Sequence, residues 1–204
     1  TDASAGGAAF DGAKMAGAKL ASASLSGASL VAIDAPDSTW DDATVERARF
    51  DGANLERAHF QRAMASDSSF DAATLRGADL RRLHGPGMSL RGADLRDADV
   101  RRARLMGAEL STANLRAIKG QQIDASEAKA VRADFTGAVL REANLSRADL
   151  TRASLDQADL REATLTGAVA LESSQRGTNL RGAHLDGSSG FSSVAAKSGK
   201  PGPT

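Results

Sequence analysis

Histidine and arginine are the side chains here best suited to chemistry, and both recur in step. The three histidines, His59, His84 and His184, are the only imidazoles in the 204 residues. An imidazole beside a carboxylate can move protons, and several gathered together can hold a metal. A second group is basic: Arg76, Arg81, Arg82, Arg96, Arg101, Arg102 and Arg116. Planar guanidinium groups grip carboxylates in pairs, so a cluster of them suits an acidic partner. With no cysteine, thiol catalysis, disulfides and Cys-based metal sites are excluded. Serine and threonine are spread along the chain with no base positioned to activate them. Gly52, Gly77, Gly92, Gly107 and Gly137 recur at one phase, which is turn chemistry and not a phosphate cradle.

What positions these residues is a period of five. From Ala133 to Leu165 the chain reads Ala-Asp-Phe, Ala-Val-Leu, Ala-Asn-Leu, Ala-Asp-Leu, Ala-Ser-Leu, Ala-Asp-Leu and Ala-Thr-Leu, with two small or polar residues between triplets. On an α-helix a leucine every fifth residue advances about 140° each time and makes no stripe. On a straight strand an odd period throws successive leucines to opposite faces. Short extended pieces joined by bends keep every Ala and Leu on one side. Repeated, they enclose a narrow apolar lumen. Ile33 with Ala35, Leu83 with Gly85, Ile118 with Gly120 and Ile123 with Ala125 exchange a large and a small residue between the two inward slots. That exchange conserves core volume. Scarce aromatics suit a lumen too thin for large rings.

The motif, Ala then Asp or Asn then Leu or Phe then two variable residues, resembles the pentapeptide-repeat family over about Ala3 to Leu185. The resemblance implies an all-β fold, a right-handed quadrilateral β-helix with four repeats per coil. It would have about nine coils and, at ~4.8 Å per coil, form a rod of about 45 Å. The expected division is a β-helix over residues 1–187 and a tail over 188–204, either a short capping helix starting at Ser189 or a linker. Within the coil, Arg81 to Met88 with Gly85-Pro86-Gly87 is expected to form a bulged corner. Arg116 to Ala130 is expected to be a distorted coil, its Asp124-Ala-Ser-Glu127 offering a helix cap. Pro36 and Pro86 fall at corners, where a missing amide matters least.

Four repeats per coil stack residues at a spacing of 20. His59 then lies between Thr39 and Asp79, His84 between Met64 and Arg104, and His184 follows Thr164. No two histidines meet, and no metal or cofactor is expected. Arg76, Arg96 and Arg116 form one column, Arg81 and Arg101 a second, and Arg62, Arg82 and Arg102 a third. These columns flank one face carrying Asp79 and Asp99. The short polar residue between Ala and Leu is expected to bond backbone amides at the bends.

Formal charge is zero, from 26 basic and 26 acidic side chains. Such balance argues against a purely electrostatic nucleic-acid binder. No apolar run reaches the ~18 residues of a membrane span. No signal peptide is visible, so a cytoplasmic location is expected. The first residue is Thr1, as in a segment excised from a longer protein. The resemblance implies two roles. One is a non-enzymatic scaffold for a protein partner, as a monomer or weak end-to-end dimer, standing alone or within a secretion-associated or regulatory protein. The alternative is mimicry of duplex DNA toward DNA gyrase, giving quinolone-type resistance. Mimicry needs a strongly acidic face, and the outward positions form none.

Overall fold

In the computed structural model, which describes residues 5–191, the chain winds as a four-sided coil. Each outward residue forms a parallel bridge with the residue 20 further on, from Ala9 with Ser29 to Val169 with Ser189. In the coil 81–100 the sides are Leu83-His84-Gly85, Met88-Ser89-Leu90, Ala93-Asp94-Leu95 and Ala98-Asp99-Val100. They are called here the first to fourth sides. Between them run the 81/82, 86/87, 91/92 and 96/97 edges, each continuing through neighbouring coils at intervals of 20.

The period of five follows from where the amides go. The Leu80 amide donates to the Asp99 carbonyl at 2.8 Å, Arg82 to Arg101 at 3.0 Å and His84 back to Ala63 at 2.9 Å. Leu83 closes the corner by donating to the Leu80 carbonyl at 3.1 Å. The fifth amide, at the first corner residue, has no main-chain acceptor in this scheme. A side chain takes it: Arg81 N donates to Asp79 Oδ1 at 3.1 Å, Arg101 N to Asp99 Oδ1 at 3.2 Å and Thr136 N to Asp134 Oδ1 at 2.9 Å. This is the physical reason for Asp or Asn between Ala and Leu, since a buried or half-buried amide left unpaired is costly. Proline has no such amide, and Pro36 and Pro86 occupy that corner slot. The second corner residue takes a positive φ, as at Arg82 (58°), the third-residue conformation of a type II turn.

The expected bulge at Arg81–Met88 is absent. Gly87 fills the positive-φ slot, Pro86 the slot without an amide acceptor, and Gly85 the inward slot beside a large neighbour. A Cβ on Gly85 would stand 2.9 Å from Leu83 Cδ2 and 3.0 Å from Met88 Sδ. Each apparent breaker therefore meets a local demand, and the corner is regular. Nor is Arg116–Ala130 distorted: Gly120 and Ala125 donate to Val139 and Asn144 at 2.8 Å each. Asp124 accepts from Ser126 N and Oγ within an ordinary corner and caps no helix. A Cβ on Gly120 would come within 2.8 Å of Leu140 Cδ2 and 3.6 Å of Ile118 Cδ1, so the space beside the large inward Ile118 is already filled. Coil geometry continues to the Val169–Ser189 bridge, with Phe191 packed against the core. The remainder of the tail lies outside the described residues.

The lumen also admits rings. Trp40, Phe50, Phe60 and Phe70 are wholly buried. Trp40 stacks on Phe60 along the fourth side at 5.5 Å, and Phe50 on Phe70 along the second at 4.4 Å. The two stacks meet edge-to-face, with Phe50 and Phe60 centroids 5.9 Å apart, a favourable aromatic geometry. Small Ala35 and Ala65 on the other two sides leave the room. The Trp40 indole donates to Ser38 Oγ at 2.7 Å, and that hydroxyl donates to the Ala35 carbonyl, so the buried polar atoms are satisfied.

Candidate docking edge

Since every corner has the same backbone, the chemistry of an edge is set by two side chains per coil. Down the 81/82 edge these are Asp41-Asp42, Gln61-Arg62, Arg81-Arg82, Arg101-Arg102, Gln121-Gln122, Arg141-Glu142, Arg161-Glu162 and Arg181-Gly182. At Gln61, Arg81, Arg101, Arg141 and Arg161 the first corner residue turns toward the aspartates of the fourth side. Arg81 Nη2 reaches Asp79 Oδ2 at 2.6 Å, and Arg101 Nη2 reaches Asp99 Oδ2 at 2.5 Å. Burial pushes the Asp79 carboxyl up, but hydrogen bonds from the Arg81 side chain and amide outweigh it and hold it below the usual carboxylate value.

The second residue projects along the edge. Arg62 holds Asp42 of the preceding coil through two bonds of 2.7 and 2.6 Å. Arg102 donates to neutral Gln122 Oε1 at 2.8 Å, and Gln122 passes a bond to Glu142. The Arg82 side chain makes no hydrogen bond or ion pair among the described residues. Two neighbouring guanidinium groups, Arg82 and Arg102, thus lack a carboxylate. They line a groove of about 590 Å³ whose other walls are Gln61, Arg62, Arg81, Arg101, Gln121 and Gln122. The lining contains no acid. In its wall Gln121 Oε1 is buried without a hydrogen-bond partner.

The sequence-predicted arginines therefore divide. Arg81, Arg82, Arg101 and Arg102 share the groove, while Arg76, Arg96 and Arg116 run along the 96/97 edge across the fourth side. There Arg96 pairs with Asp94 at 2.5 Å and Arg116 with Asp134 at 3.1 Å. The Arg96 side-chain hydrogen bond, more than burial opposes it, holds Asp94 low, and the charge of Arg76 assists. Sequence reasoning missed the glutamines of the groove and the exposure of Met64 and Met106. Their phases, outward and corner, were a sufficient signal for the latter. His59, His84 and His184 occupy bridge positions as expected, each on a separate stretch of surface. Among the described residues no group of three or more His, Cys, Asp or Glu is placed to hold a metal. Among the described residues no helix is long and apolar enough to cross a membrane.

Comparison with known proteins bears on the fold. The pentapeptide-repeat family model matches in 8 copies over residues 1–32, 46–82, 88–118, 122–157 and 131–167. No curated protein matches the sequence. HetL, a pentapeptide repeat protein involved in heterocyst differentiation regulation from the cyanobacterium Nostoc sp. strain PCC 7120, aligns at 27% identity with a TM-score of 0.53. That alignment covers 89% of this chain and 84% of HetL. A trypsin-treated form of QnrB1, a plasmid-mediated fluoroquinolone resistance protein, aligns at 18% identity and a TM-score of 0.47, covering 97% and 93%. Rfr23, from the cyanobacterium Cyanothece 51142, aligns at 26% identity and 0.40, covering 55% and 64%. With its unbroken five-residue phase, its bridges at intervals of 20 and its right-handed all-β coil, the chain belongs to the pentapeptide-repeat family.

Proposed function

We propose that this chain is a non-catalytic interaction rod that docks an acidic protein partner on its 81/82 edge. The observation that carries the reading is the pair Arg82 and Arg102, adjacent guanidinium groups without a carboxylate in an acid-free groove. Elsewhere on the middle coils, most arginines are already matched by aspartates. Holding Arg82 and Arg102 one coil apart without a counter-charge is mildly unfavourable in the free protein. Both also sit at positive φ, which costs a residue with a side chain about 1 kcal/mol. An acidic partner relieves the repulsion. HetL, which has the same fold, is involved in regulation, in keeping with a protein that acts through contacts.

The test compares partner capture by the wild-type chain and by Arg82→Ser/Arg102→Ser across a salt series, with urea denaturation alongside. The reading expects capture to fall and lose its salt dependence while stability holds or rises. Unchanged capture at every salt concentration would falsify it. This variant is cleaner than one that also removes Arg81 and Arg101, which would leave Asp79 and Asp99 uncompensated.

A further inference from the structure

The groove opens onto two sides, and their chemistry differs. On the fourth side the outward residues next to the arginines are Asp79 and Asp99, which would repel an acid. The first side carries Met64, His84 and Arg104 in one column. Arg104 is exposed and its side chain, like that of Arg82, makes no hydrogen bond or ion pair among the described residues. At the far edge of the same side stand Pro86 and Met106. Met106 is 51% exposed and Met64 37%, two of the three large hydrophobic residues exposed among those described. The first side at mid-rod is thus basic along one margin, while the other exposes Pro86 and Met106, with the Asp67 carboxylate lying against Gly87.

From this juxtaposition we propose that the occupant is an acidic amphipathic helix of a partner protein, lying along the first side between Arg82/Arg102 and Pro86/Met106. The inference rests on the docking reading above and specifies its partner. Width supports it: three extended residues make a side of about 10 Å, matching a helix diameter of about 10–12 Å. Pitch supports it as well. Coils repeat every ~4.8 Å, close to the 5–6 Å between helix positions i and i+3 or i+4. Same-face residues of an extended peptide are about 6.6 Å apart, and drift out of register. A row of glutamates on one helical flank meets Arg82 and Arg102, with Arg104 beneath the helix. Apolar side chains on the other flank cover Met64 and Met106, and methionine adapts readily to such a surface. A bare phosphate chain fits less well. It has no apolar surface with which to cover Met64 and Met106.

The probe is a synthetic Ala-based helical peptide of about 15 residues, long enough to span the groove. It carries glutamates on one stripe and leucines on the next. A scrambled peptide of equal composition, polyglutamate and single-stranded oligothymidylate serve as comparisons, and binding is read by fluorescence anisotropy. The striped peptide is expected to bind about tenfold more tightly than the scrambled one. It should weaken about tenfold with Arg82→Ser/Arg102→Ser, as two half-exposed ion pairs imply. Met64→Ser/Met106→Ser should weaken it severalfold and leave polyglutamate unchanged. Arg132→Ser, an unpaired arginine on another edge, should have no effect. Should the arginine pair matter while scrambling and the methionines do not, the helix is wrong and the docking edge stands. Indifference to the arginine pair overturns both. If oligothymidylate binds more tightly than the striped peptide, the groove is a phosphate site and the proposal fails.

Discussion

The 81/82 edge contains two stretches built on one backbone, and they have opposite electrostatic fates. From Gln61 to Gln122 the second corner residues are Arg62, Arg82, Arg102 and Gln122, whereas from Arg141 onward they are Glu142, Glu162 and Gly182. In the later stretch Arg141 and Arg161 share Asp159, at 2.5 and 2.8 Å. The pair holds that carboxyl far below its usual range, Arg161 contributing most and burial opposing. A smaller groove of about 280 Å³ lies there, lined by alternating Arg141, Glu142, Arg161, Glu162 and Arg181. The comparison teaches that the repeat fixes the shape of an edge and leaves its charge open. One substitution type, Arg for Glu at a corner, separates a self-matched surface from an unmatched one.

Four tests probe that contrast. The largest effect should come from the shared lumen. Leu105→Ala and Leu145→Ala remove first-side core residues behind the two stretches, and each should cost ~2–5 kcal/mol in urea denaturation because a narrow lumen collapses poorly around a void. Grossly unequal losses would mean that the stretches do not rest on equivalent cores. Next comes exchange of the edges. Arg82→Glu/Arg102→Glu should abolish salt-sensitive capture, while Glu142→Arg/Glu162→Arg should create it on the later stretch. A later stretch that stays inert after the exchange would show that charge alone does not make the site.

A smaller effect separates the stretches in acid. Folded Asp79 and Asp159 have depressed pKa values, so their stabilisation is present above the unfolded value of about 3.9 and is lost as pH falls through the folded one. Asp159, with two arginines, should hold out to lower pH than Asp79. At neutral pH Asp159→Asn should cost about 1 kcal/mol, a difference from wild type that shrinks on acidification; a pH-independent loss would remove the ion pairs as its cause. The smallest expected effect is none: neither stretch is an acidic ladder, so gyrase supercoiling assays should show no inhibition at low micromolar protein. Potent inhibition would favour the DNA-mimic reading over the scaffold.

How much of this was legible in the sequence depended on the period at which each property repeats. Inward Ala and Leu recur every five residues, so the lumen and its volume exchanges could be read directly. Gly85-Pro86-Gly87 looked like a bulge because glycine and proline ordinarily punctuate structure. Here each sits where the repeat wants what it lacks: a side chain, an amide or a negative φ. The aromatic stack was illegible because ring fit depends on what faces it from other sides of the coil. Trp40 needs Ala35 as well as a partner in Phe60. The arginine columns emerged once a 20-residue coil was assumed, but their division did not. Arg81 is taken up by Asp79 two residues before it, a local pairing the sequence displayed. That Arg82 beside it lacks a partner depends on the direction a positive-φ corner gives its side chain.

The inter-coil bridges have a consequence for how such a chain can change length. Because the lumen repeats every five residues and the bridges join residues 20 apart, the molecule behaves as a screw with four equivalent stops. Duplicating or deleting a whole coil lengthens or shortens the rod and leaves every edge aligned. A single added repeat keeps the lumen intact but turns everything after it by a quarter revolution. Placed between Arg82 and Arg101, it would carry Arg101 and Arg102 to the next edge and divide the basic groove, with the core scarcely disturbed. Slippage of one repeat during replication is thus a route by which this architecture reshuffles its surfaces without having to refold its interior.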